Sequence, residues 1–172
     1  MFFKPILLTA ACCILSASAS AAPTPASTAA EVIKLAVDCT HLATEDLCPL
    51  FDGKFGKVSP KVFTAGFVAA WAHALSADAV VWDGDLIAGC QNCAVTDGRV
   101  GAVHAQPNGN VAVTTRVGTH NDEDEKQPGP ITHQKIVFVM KNEEAAWKID
   151  DIIVFRKGEK PDAARAYLDS WK

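Results

Sequence analysis

The residues of this chain best suited to chemistry are Asp151, His133 and the pair Cys90 and Cys93. Asp151 stands in the run Trp147-Lys148-Ile149-Asp150-Asp151-Ile152-Ile153-Val154-Phe155. Side chains alternate across a strand, so Trp147, Ile149, Asp151, Ile153 and Phe155 are expected on one face. A carboxylate in apolar company either finds donors or has its pKa pushed upward, and pocket acids and bases arise in this way. His133 alternates with Lys135, Val137 and Val139 on the preceding run. An Asp151–His133 pair would supply general acid–base catalysis. The competing structural role for Asp151 is to cap a loop or helix terminus, or to pair with Arg116 or a lysine.

Cys90-Gln91-Asn92-Cys93 is compatible with a redox couple, half of a metal site or a staple. The chain has six cysteines, of which Cys12 and Cys13 fall in an apolar leader, leaving Cys39, Cys48, Cys90 and Cys93. An even set in an exported chain is most simply disulfide-bonded. Of the three connectivities, the local pairs Cys39–Cys48 and Cys90–Cys93 are favoured, although crossed pairs would close longer loops and so constrain the unfolded chain more. A thiol oxidoreductase using Cys90 and Cys93 needs the first cysteine at a helix N-terminus that follows a strand. Here the motif lies between Asp83-Gly84-Asp85 and Thr96-Asp97-Gly98, without a βαβ pattern.

Other clusters offer less. Asn121-Asp122-Glu123-Asp124-Glu125 gathers oxygen ligands but lacks the glycine and terminal glutamate of a calcium loop, so a solvated hairpin loop is expected. His73 and His104 read as satisfied core groups, and His41 and His120 as solvent-facing. No phosphate loop, nucleophile elbow, HExxH or dinucleotide fingerprint is present. Neither a metal nor a cofactor is expected.

The leader sets the compartment. MFFKPILLTAACCILSASASA has one lysine, an apolar run from Ile6 to Leu15 and small residues at its end. That is the pattern of a secretory signal peptide over residues 1–21, and it predicts a periplasmic or secreted protein. Thr9-Ala10-Ala11-Cys12 resembles a lipoprotein box, but Thr stands where Leu is usual. The apolar run is too short to cross a bilayer about 30 Å thick, and nothing later is longer. The full chain of 172 residues carries a net charge of −4. Without Lys4, 15 basic residues face 20 acidic ones, a net of −5. With no basic cluster in the sequence, neither nucleic acid nor anionic lipid is an expected partner.

The remaining residues are ordinary for one domain. Ala22 to Ala30, small and proline-containing, reads as a flexible leader, and a single domain is expected over residues 31–172. Thr28 and Glu31 have capping-box spacing, and Val32, Leu35, Ala36, Cys39, Leu42 and Ala43 mark the buried face of a first helix. Ser59-Pro60 predicts the start of a second helix whose apolar face is Phe63, Phe67, Ala70, Trp71 and Ala74. The period then changes to two. Val100–Ala105 and Val111–Thr119 flank an Asn-Gly turn, and Thr132–Lys141 and Ala146–Phe155 flank Asn142-Glu143-Glu144-Ala145. Four such strands make an antiparallel meander, and Pro161–Trp171 predicts a closing helix. The fold class is therefore α+β, with N-terminal helices packed on a curved sheet.

Trp147-Lys148-Ile149-Asp150-Asp151-Ile152, taken with Asp83-Gly84-Asp85-Leu86-Ile87 and Gln91, resembles a family of secreted bacterial domains of unknown function. That family is similar to the nuclear-transport-factor-2-like (NTF2-like, cystatin-like) α+β cone, and the resemblance spans about Glu31 to Phe155. It implies a fold and no activity, and this chain departs from it in placing cysteines on both sides of Gln91. A cone implies a pocket, with Trp71, Arg116, Trp147 and Asp151 as candidate lining residues. The favoured function is a non-catalytic exported module that binds a small ligand or an envelope protein partner, with the sheet offering a route to a homodimer. A cone-pocket enzyme and a thiol oxidoreductase are the alternatives.

Overall fold

The computed structural model describes residues 22–40, 42, 48–52, 56–77, 86–88, 93–121 and 129–171. The sequence-based expectations for Cys90, for His41, for Asp83 to Asp85 and Gln91, and for the acidic run after Asn121 lie outside the described residues, as do residues 1–21. Helix α1 runs Pro25–Cys39 and α2 Ala65–Ser76, followed by strands β1 (Cys93–Ala105), β2 (Val111–Asn121), β3 (Thr132–Glu143), β4 (Ala146–Phe155) and β5 (Asp162–Ala163), and helix α3 (Ala164–Asp169). The strands form one antiparallel sheet in sequence order. The α+β architecture is as expected, but the sheet has five strands rather than four, because Asp162 and Ala163 pair with Val154 and Ile153.

The first helix starts earlier than Thr28. Thr24 is its cap: its hydroxyl accepts the Ser27 amide N–H, the Ser27 hydroxyl accepts the Thr24 amide, and Pro25 fills the first helical position. The expected flexible leader is therefore helical from Pro25, and Ala29 is fully buried. Ser59-Pro60 opens only a single turn, in which Ser59 O accepts the Val62 and Phe63 amides. The chain then bridges β4, with Ile149 donating to Val62 O and accepting from Thr64. Helix α2 begins after that bridge, capped by Thr64 Oγ1 on Phe67 N–H.

One core joins the helices to one face of the sheet. Val32, Ile33 and Ala36 of α1 and Phe67, Trp71 and Ala74 of α2 pack with Val113, Val117, Ile136, Phe138, Met140, Ile149, Ile152 and Val154. Phe63 and Phe67 stack at 4.9 Å, and Phe67 and Trp71 at 6.2 Å. Each such ring contributes about 1.5–3 kcal/mol by burial, so the aromatic stripe of α2 is core, as its spacing predicts. Gly98 of β1 lets α1 approach closely: a Cβ there would lie 2.5 Å from Ile33 Cγ2.

The hairpin turns differ in chemistry. Gln106–Asn110 closes through Gln106 N–H to Asn110 O, with Gly109 at φ +83°. The β3–β4 turn is only Glu144-Ala145, both at positive φ, 54° and 62°, the geometry of a tight primed turn without its usual Asn-Gly. The cysteines follow the local pairing where it is described. Cys39 and Cys48 are bonded, which excludes both crossed pairings. Cys93 is also in a disulfide, and its partner falls outside the described residues. No described helix is long and apolar enough to cross a membrane.

Candidate functional site

The alternation expected along β4 is broken at Asp150. Val139 pairs with Asp151 and Met140 with Ile149, so Asp150 is an extra residue, a bulge. The insertion lets Ile149 and Ile152 both be fully buried, and it moves Asp151 out of the company of Trp147 and Ile149. Asp151 Oδ1 accepts two backbone N–H groups, Ile152 and Arg165, each at 2.8 Å. Ala163, at the N-cap position of α3, makes no side-chain capping bond, so Asp151 caps that helix from the neighbouring strand. Partial burial pushes the Asp151 carboxyl above its ordinary range, more than the two N–H groups pull it down. Asp150 does the parallel task for α2: its Oδ1 accepts the Thr64 hydroxyl at 2.7 Å and stands 3.8 Å from Arg165 Nη1. Glu143 adds a further cap, taking the Ala65 N–H at 3.0 Å, which holds its carboxyl below the usual range.

Asp151 and His133 are not a pair. Asp151 is in register with Val139, six positions along β3 from His133, and at about 3.3 Å per residue that is about 20 Å. His133 lies beyond Lys135, whose partner Phe155 ends β4. The other candidates also separate. Trp71 is buried in the core with Nε1 donating to Gly56 O at 2.6 Å, and Trp147 packs against the same core. His73 and His104, read as core groups, are exposed, because each falls on the outer side of its helix or edge strand. Cys93 opens a strand, not a helix.

Arg116 and His133 are the candidates that the structure places in a concavity. An open groove of about 440 Å³ crosses β1, β2 and β3, lined by Arg99, Thr114, Arg116, His133, Gln134 and Lys135 among others. Its centre is a cross-strand row. Arg99 pairs with Arg116, Arg116 with Lys135, and Lys135 with Phe155. Directly opposed residues share a face, here the face away from α1, since Val113, Thr115 and Val117 point to the core. All three cations are exposed, and among the described residues no carboxylate forms an ion pair with any of them. Lys135 Nζ instead lies 4.4 Å from the Phe155 ring centroid, a contact that fixes the ammonium without neutralising it.

Two residues along the strands, on the same face, is a second row, Asp97, Gly118 and His133. Asp97 Oδ1 lies 3.2 Å from His133 Nε2, reaching from β1 over β2 to β3. Gly118 makes this possible, because a Cβ there would stand 2.6 Å from Asp97 Oδ1. Sequence reasoning missed Arg99, Lys135 and Asp97, since each is an isolated charge until the strand registers align them. A smaller, apolar hollow of about 390 Å³ lies between α2 and α3, lined by Gly66, Ala70, His73 and Leu168 among others.

No family model, no curated protein and no solved structure matches this chain.

Proposed function

We propose that the protein is an exported, non-catalytic binding module that holds a small anionic ligand in the groove over β1, β2 and β3. The observation that carries this reading is the row Arg99–Arg116–Lys135, three exposed cations in direct register that have no carboxylate partner among the described residues. Like charges directly opposed on a sheet are destabilising. An anion seated among them removes that repulsion and accepts charge-assisted hydrogen bonds, with each guanidinium offering a planar fork to a carboxylate or phosphate. In a chain of net charge −4, such a patch is a local reversal of sign that draws anions to one face. Binding is favoured over catalysis because the groove is open, and fixed charges stabilise a transition state best where water is excluded.

The leader sequence and the disulfides support export to the periplasm or beyond. The NTF2-like cone remains our reading of the architecture, supported by the Trp147-to-Ile152 motif and by helices packed on one side of an antiparallel sheet. Calorimetric titration of the mature protein with inorganic phosphate at low ionic strength tests the function. Saturable binding that Arg116→Glu abolishes, with the thermal midpoint not lowered, is the expected result. Absence of binding, or equal binding by the variant, would overturn it.

A further inference from the structure

Resting on the anion-binding reading of the groove, we infer that its ligand is an extended oligoanion: a small molecule with at least two anionic groups, lying across the strands along the row Arg99, Arg116 and Lys135. A single compact anion would need cations converging on one point. These cations are instead arrayed in a line, one per strand, on β1, β2 and β3. Neighbouring strands are about 4.8 Å apart, so the row extends about 10 Å from Arg99 to Lys135.

The two ends of the row differ in a way that orients the ligand. Arg99 and Arg116 are adjacent forks suited to planar carboxylates or phosphates. Lys135 is a point charge held over the Phe155 ring, 4.4 Å from its centroid, so an apolar or planar body in the ligand would meet an aromatic edge there. The sides differ as well. On one side of the row, Asp97 is directed at His133, and its carboxylate repels an anion that strays off the row. On the other, Gly101 and Thr114 leave a low polar floor, since a Cβ at Gly101 would lie 3.3 Å from Thr114 O. The groove thus favours a ligand that runs along the cations.

The test is a series of ligands that change span at constant charge. Malonate, glutarate and pimelate are dianions of increasing length, and acetate is the monoanion control, each titrated into isotopically labelled mature protein and followed by the amide resonances of Arg99, Arg116 and Lys135. The expected result is affinity for glutarate or pimelate about tenfold above that for malonate, a difference equivalent to about 1.4 kcal/mol. Arg99→Gln is expected to flatten that gain, weakening glutarate and pimelate more than it weakens acetate. A flat response across the dicarboxylates, with acetate and inorganic phosphate still bound through Arg116, would overturn the oligoanion inference and leave the anion-binding reading standing. Failure of every one of these anions, phosphate included, would overturn both.

Discussion

Asp151 Oδ1 accepts the backbone N–H of Arg165 at 2.8 Å, so a strand carboxylate caps the helix that follows it by a dozen residues. The adjacent Asp150 reaches Thr64, the cap of α2. Two consecutive aspartates at one bulge thereby fix where two helices begin, and this is why the pair sits in the middle of a mostly apolar strand.

The raised pKa of Asp151 gives its substitutions opposite signs. A carboxyl whose folded value exceeds its ordinary 3.8 binds more protons in the native state, so its contribution to stability falls as pH rises from 3.8 through the raised value. Asp151→Asn keeps the acceptor and removes the charge. Chemical denaturation at pH 7 is expected to show stability equal to or above that of the parent, with a flatter pH profile in this window. Asp151→Ala leaves the Arg165 and Ile152 amides without their acceptor and is expected to lower stability by about 1 kcal/mol. An alanine variant as stable as the parent would contradict the capping role.

Arg116→Glu should separate binding from stability. It places an acid between Arg99 and Lys135, turning two like-charge pairs into two opposite-charge pairs, each of about 0.2–1 kcal/mol. Denaturation is expected to show a variant more stable than its parent, while anion affinity is lost. A less stable variant would mean that Arg116 has a structural partner the row does not explain.

Asp97→Asn removes a negative group on the same face as the row while keeping an oxygen that can accept from His133. Phosphate affinity is expected to rise severalfold, more at low salt than at high, because the interaction removed is one between exposed charges. Unchanged affinity in calorimetry would place the ligand away from β1.

The turn Glu144-Ala145 carries two L-residues at positive φ, 54° and 62°. Replacing them together by Asn-Gly removes steric strain of about 1 kcal/mol. The contact of the exposed Glu144 carboxylate with Lys148 at 3.6 Å is worth little by comparison. A thermal midpoint about 2–4 °C higher is expected for a domain of this size, and a lower midpoint would show that the turn is not strained.

Breaking Cys39–Cys48, for example as Cys39→Ser with Cys48→Ser, opens a loop of sequence separation 9. The chain-entropy effect for such a loop is about 2.5–3 kcal/mol. Denaturation of the double variant reads this directly, and no loss would mean that the unfolded chain is already compact there.

Much of the scaffold was legible because it rests on periodicity. The β3–β4 hairpin, the α2 aromatic face and the antiparallel meander all follow from local patterns, and β4 has the expected bounds, Ala146–Phe155. The start of α1 was missed because Thr24-Pro25, a cap and a first-turn proline, was masked by the small residues around it. The same type of signal at Ser59-Pro60 was overridden by the bridge to Ile149. The Asp150 bulge is invisible to an alternation rule, and it changed the environment of Asp151. The groove was the least legible part: Arg99, Arg116 and Lys135 are spread over 37 positions of the sequence, and only strand register unites them.

The central claim is that the ligand sits on that row. Titrating labelled mature protein with glutarate, a dianion able to span neighbouring cations, and mapping the amide shift changes tests it most directly. The changes are expected to cluster at Arg99, Thr114, Arg116, His133 and Lys135 and to saturate together with one affinity. Shifts confined to the hollow between α2 and α3, or no saturable shifts at all, would contradict it.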